Sequence, residues 1–136
     1  MKKSWKLTEH EESVLLPLIL QLLSNSDNRN IFPNPEICRY LEEQSETIVK
    51  DSQIRKLVYN IRQRNLIPIL IANGDGYYTG KNIPEIKQWI KTHKGKIEAM
   101  ISTLESIEDQ FIQQMRNLNY EENGLTGQIS IFDIID

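Results

Sequence analysis

Asp51–Tyr78 reads DSQIRKLVYNIRQRN, LIPILIA, NGDG, YY, and the chain is organised around it. Ile54, Leu57, Val58 and Ile61 recur at i, i+3, i+4 and i+7, which predicts a helix with one apolar stripe. At about 100° per residue, Ser52, Lys56, Tyr59 and Gln63 lie on the opposite face. Arg55 and Arg62 flank that face on one side, Asn60 and Arg64 on the other. Such side chains donate to phosphates or read base edges. No acid interrupts Ser52 to Ala72. Asn73-Gly74-Asp75-Gly76 then joins two β-favouring runs, the signature of a tight hairpin.

Two further helices are expected upstream. Thr8 and Glu11 form a capping-box pair, so a helix starts near Glu9 and continues through SVLLPLILQLL. It is apolar on nearly every side and should kink at Pro17. Asn30-Ile31-Phe32 suits a short strand. Asn34 is the expected cap of a second helix, with Pro35 at its first position and Ile37 and Leu41 inward. Cys38 packs there as a small hydrophobe. Ser45–Lys50 is the turn, plugged by Ile48 or Val49, and Asp51 or Ser52 caps the next helix.

A basic helix after two helices and before a hairpin resembles a winged helix-turn-helix domain. The segment Ile54–Gly80, IRKLVYNIRQRNLIPILIANGDGYYTG, is similar to short winged-helix proteins of bacteriophages and mobile elements. The likeness covers roughly residues 8–82. It implies duplex-DNA binding through Ser52, Gln53, Arg55, Lys56, Tyr59, Asn60, Arg62, Gln63 and Arg64. The wing tip departs from the pattern, because Asp75 stands where such proteins often carry a basic residue. The alternative is a plain scaffold with a solvated basic face.

Beyond residue 82, Asn82 and Glu85 form another reciprocal cap, and a long helix follows. Ile86, Ile90, His93, Ile97, Met100, Leu104, Ile107, Phe111, Gln114 and Leu118 alternate by four and three, a heptad register that signals a coiled coil. Ile90, Ile97, Met100, Leu104, Ile107, Phe111 and Leu118 are its expected dimerisation residues, making the protein a homodimer. The alternative is a helix folded back on its own domain. Residues 119–127 read as a flexible linker. Gln128-Ile129-Ser130-Ile131-Phe132 follows and resembles the pentapeptide that binds the bacterial sliding clamp, with Ile131 in place of the usual Leu. The competing reading makes it a terminal strand of the protein's own sheet.

The whole chain agrees with a local rather than a global affinity for polyanions. The net charge is −3, and residues 1–80 hold 10 of the 16 basic and 10 of the 19 acidic side chains. That excludes a non-specific polycation. One cysteine excludes an internal disulfide framework. Val14–Leu23 is too short for a membrane span, and no signal peptide is evident, so a soluble cytoplasmic protein is expected. No phosphate-binding loop, nucleophile elbow or metal-ligand cluster is present, so neither catalysis nor a cofactor or metal is expected.

The expected fold is α+β and mostly α. It comprises a winged helix over 1–82, a coiled-coil helix over 83–118 and a flexible tail over 119–136. The reading that joins these parts is a phage or mobile-element replication accessory that holds DNA and engages the clamp. A dimeric transcriptional regulator and a protein-only adaptor are the alternatives.

Overall fold

The computed structural model describes residues 5–122, with side chains to Leu118. The pentapeptide Gln128–Phe132 and residues 123–127 of the expected linker lie outside the described residues, whereas residues 119–122, expected to open that linker, continue the last helix. Mostly helical, the described residues carry one small antiparallel sheet. A π-helical turn Glu11–Leu15 leads into α1 (Leu16–Leu23). Then come α2 (Asn34–Ser45), α3 (Asp51–Gln63), β1 (Leu70–Asn73), β2 (Gly76–Thr79) and α4 (Ile83–Glu122). The chain divides into two compact units between Trp89 and Ile90.

In the first unit, Thr8 and Glu11 cap each other as their spacing predicts. The Thr8 N–H donates to Glu11 Oε1 at 2.8 Å, and the Glu11 N–H to Thr8 Oγ1 at 3.2 Å. The next turn is wide, with the Leu16 N–H reaching Glu11 O. It sits just ahead of Pro17, which has no N–H to give, and the widened register accommodates it. Leu15, Leu16, Ile19 and Leu23 enter the core. Val14, Leu18, Leu20 and Leu22 are partly covered, which answers the helix's all-round apolarity.

The starts of α2 and α3 differ from expectation. Pro33, not Asn34, is the cap of α2. Its backbone is extended (ψ 157°), and its carbonyl accepts the N–H groups of Glu36 and Ile37. Asn34 is already the first helical residue and Pro35 the second, and the buried Asn34 Oδ1 makes no hydrogen bond. For α3 the cap is Lys50, not Asp51 or Ser52. The Lys50 N–H donates to Gln53 Oε1 at 2.9 Å. Between these helices Glu46 turns left-handed (φ 57°). Val49 fills the gap at 6% exposure while Ile48 is 83% exposed. Ile37, Leu41, Ile54, Leu57, Val58 and Ile61 complete a helical core in which α2 lies against both α1 and α3.

The hairpin closes this core. Leu70 faces Thr79, Ile71 Tyr78, Ala72 Tyr77 and Asn73 Gly76, so Gly74 and Asp75 form a two-residue turn. Asn73 Oδ1 accepts the Asp75 N–H at 2.7 Å. Gly76 has φ 136°, and a Cβ there would run into the backbone of Phe32 and Pro33, so only glycine fits. That close approach is the third strand. Expected over Asn30–Phe32, it is reduced to one bridge in which Phe32 and Tyr77 exchange N–H···O bonds of 3.0 and 2.9 Å. Half-buried Tyr77 packs against this core, while Tyr78, alternating to the other face of the hairpin, is buried at 3% exposure. Ser26, wholly buried, ties α1 to β2 by accepting the Thr79 N–H at 3.0 Å and donating to Leu23 O at 2.6 Å.

The first turns of α4 belong to this unit. Ile86 lies against Gly80, and the Tyr78 hydroxyl donates to Glu85 Oε1 at 2.5 Å. Burial and then that carboxylate push the Tyr78 hydroxyl up to about 12. The second unit begins at Ile90. Its described side chains lie on one helix, and Ile90, Ile97, Met100, Leu104, Ile107 and Leu118 are 45–71% exposed. No helix among the described residues is long and apolar enough to cross a membrane.

Candidate nucleic-acid interface

Helix α3 buries the predicted stripe and presents its polar residues outward, but most of them are held by the protein itself. The centre of this network is Glu11, buried at the wide turn before α1. Lys56 Nζ lies 2.6 Å from its Oε1, and Gln53 Nε2 donates to its Oε2 at 3.2 Å. Burial raises the Glu11 carboxyl. The hydrogen bonds from Lys56, Thr8 and Gln53, with the Lys56 charge, outweigh that, so it titrates below its ordinary value. Gln53 therefore caps α3 with its oxygen and anchors the turn before α1 with its nitrogen.

The N-terminal segment lies along the same helix. Trp5 stacks on Tyr59 with ring centroids 4.5 Å apart, and Asn60 Nδ2 donates to Trp5 O at 2.7 Å and Lys56 O at 2.9 Å. Arg64 makes a two-pronged pair with Glu12, at 2.9 and 3.2 Å. This pair is exposed on both sides, where such contacts contribute little.

Arg62 serves the hairpin. Its Nε donates to Leu70 O at 2.8 Å, and its guanidinium lies 5.9 Å from the Tyr77 ring centre and 5.8 Å from that of Trp89. Trp89 Nε1 in turn donates to Ala72 O at 2.9 Å. Leu70 and Ala72 alternate along β1, so these two donors occupy carbonyls on the edge that faces away from β2. Burial lowers the Arg62 guanidinium below its ordinary value, but an arginine keeps its charge at any physiological pH.

The nine residues nominated on the sequence thus fall into two sets. Gln53, Lys56, Asn60, Arg62 and Arg64 make hydrogen bonds or ion pairs inside the protein, and Tyr59 is stacked. Ser52, Arg55 and Gln63 are exposed and have no partner among the described residues. Sequence reasoning missed Glu11, Trp5 and Trp89 as the groups that fix this face. Only the Thr8–Glu11 spacing hinted at the first, and it hinted at a cap, not at a counter-charge.

The remaining chemistry is sparse. No group of three His, Cys, Asp or Glu among the described residues could hold a metal ion. Burial, then the neighbouring Asp51 and Glu42, push the Cys38 thiol up and leave it protonated. The hairpin tip offers Asp75 and no cation. Comparison with protein-family models, curated proteins and solved structures gives no match to this chain.

Proposed function

We propose that this is a non-enzymatic duplex-DNA-binding protein of winged helix-turn-helix type. It serves as a replication accessory of a phage or mobile element and engages the bacterial sliding clamp. The element order supports the reading: helix, bridge strand, helix, short turn, helix, hairpin. One observation carries it. The solvent side of α3 keeps Arg55, Gln63 and Ser52 uncommitted, next to neighbours that are locked in place. Fixed neighbours lower the entropy cost of offering that face to a groove. In this reading Arg55 and the Nη groups of Arg62 meet phosphates, while Ser52, Tyr59 and Gln63 face base edges. The exposed seam from Ile90 to Leu118 pairs two copies. Gln128 and Phe132 seat the tail on the clamp, a part that rests on the pentapeptide alone.

The inward engagement of Lys56, Asn60 and Arg64 favours a second reading, a protein-only adaptor with few phosphate contacts. Two measurements on the full chain decide. Binding to duplex DNA should weaken steeply with salt, since each phosphate contact releases counterions. Purified clamp should be retained by the wild type and lost on Gln128→Ala with Phe132→Ala, a loss of about thirtyfold or more. Salt-independent or absent DNA binding removes the first reading. Clamp binding unaffected by the double variant removes the tail's role.

A further inference from the structure

The exposed seam of α4 has a charge pattern that decides how two copies meet. This step rests on the pairing proposed above. We infer that the partner is a second copy of this chain lying antiparallel. From Ile86 to Ile97 the helix carries Lys87, Lys91, Lys94 and Lys96 and no acid. From Glu98 to Leu118 it carries Glu98, Glu105, Glu108 and Asp109 against Arg116 alone. A parallel pair sets each basic segment alongside the other copy's basic segment and each acidic segment alongside its acidic one. An antiparallel pair in which Leu104 meets Met100 of the second copy sets the basic stretch Ile86–Ile97 along that copy's Ile107–Leu118, which carries Glu108 and Asp109 against Arg116.

The side positions sharpen the choice. With Leu104 facing the second copy's Met100, and Ile97 its Ile107, Lys94 comes beside Glu108 of the second copy. Ile101, apolar, half exposed and outside the seam, then meets its own counterpart. In a parallel pair the flanking neighbour of Lys94 is Trp89, and that of Ile101 is Lys96, so no opposite charges meet. The polar seam residues fall towards the ends of the antiparallel interface. There His93 faces Phe111 and Gln114 faces Ile90, and Ile97, Met100, Leu104 and Ile107 form an unbroken apolar centre. The two chains enter such a pair from opposite ends, which places the two Ile90 residues about 36 Å apart along the axis at 1.5 Å per residue.

Spin-label distances on the full chain test the orientation. Cys38→Ser removes the native thiol, and a label goes on Ser102→Cys or Arg116→Cys, both on the face away from the seam. In an antiparallel pair the labels at 102 are level with each other. Those at 116 are offset by about 42 Å along the axis at 1.5 Å per residue, roughly doubling the distance. Equal distances at both sites overturn the orientation and leave the pairing intact. Absence of dipolar coupling, with a monomer in sedimentation, overturns both. A charge swap provides the second arm. Lys94→Glu should weaken the dimer about tenfold, and adding Glu108→Lys should restore it. A double variant as weak as the single refutes the antiparallel contact even if both variants fold.

Discussion

Helix α3 and the second half of α4 present opposite surfaces. Along α3 the side chains that look free in sequence, Lys56, Asn60, Arg62 and Arg64, are bound to Glu11, Trp5, Leu70 and Glu12. Along α4 the side chains that look destined for burial, Ile97, Met100, Leu104 and Ile107, remain exposed. The first helix has satisfied most of its polar groups within the chain, whereas the second leaves its apolar stripe exposed. A contiguous apolar stripe of that length marks an interaction surface, whereas scattered exposed hydrophobics do not. Polarity alone therefore misjudges what each helix has to offer, and the partner list decides.

The largest effect should come from breaking the exposed side of this comparison. Leu104→Asp places a carboxylate at the centre of the seam, where an unpaired charge is costly to bury. Dimer affinity should fall by at least about a hundredfold, and sedimentation should show a monomer. Leu104 lies outside the first unit, so the melting of that unit should not change. A wild type already monomeric at tens of micromolar would show that the seam serves no pairing.

Arg62→Ala attacks the satisfied side. It removes the donor to Leu70 O and the cation between Tyr77 and Trp89. Losing a charged donor to a backbone carbonyl costs about 1–3 kcal/mol. A domain of this size should then melt roughly 4–8 °C lower for each kcal/mol lost. Unchanged melting would show that Arg62 is a surface residue free for DNA.

What the sequence revealed was local. The α3 stripe, the Thr8–Glu11 cap, the Asn82 half of the Asn82–Glu85 cap and the Asn73–Gly76 turn depend on spacings within one element, and these appear. What it hid depends on contacts between distant segments. Pro33 replaces Asn34 as the α2 cap, one residue earlier than expected and directly after Phe32, whose bridge to Tyr77 is a contact between distant segments. Glu11 cannot be read as the counter-charge of Lys56, since nothing local brings α1 beside α3. Likewise, a helical wheel shows no β1 carbonyl, so it gives no sign that Leu70 O takes the Arg62 Nε.

Glu11→Gln gives a smaller, pH-dependent effect. Because the folded carboxyl titrates below its ordinary value, the stability it contributes is fully present above the unfolded pKa of about 4.3. That contribution is lost as the pH falls through the lower folded value. The wild type should exceed the variant in stability near pH 7, and the gap should close below about pH 4 as the wild-type carboxyl protonates. Parallel acid-denaturation curves for the two proteins would show that the Lys56 pairing contributes nothing.

The smallest effect on stability, and the sharpest test of function, lies in two adjacent residues. Arg55 is exposed without a partner among the described residues, while Lys56 is held at 2.6 Å by Glu11. They are both cations one position apart, so sequence alone ranks them together. Arg55→Ala should change stability by less than about 0.5 kcal/mol, as surface substitutions usually do. It should nonetheless reduce the salt slope of DNA binding by about one unit. Lys56→Ala should do the reverse, lowering the melting temperature and leaving the slope alone, because its ammonium is already neutralised by a carboxylate. Measured together, the pair separates a charge offered to DNA from one consumed by the fold. If the slope follows Lys56 and ignores Arg55, the Glu11 pair opens on binding and the assignment of this face is reversed. If neither variant alters a slope because the wild type has none, the face serves a protein partner instead.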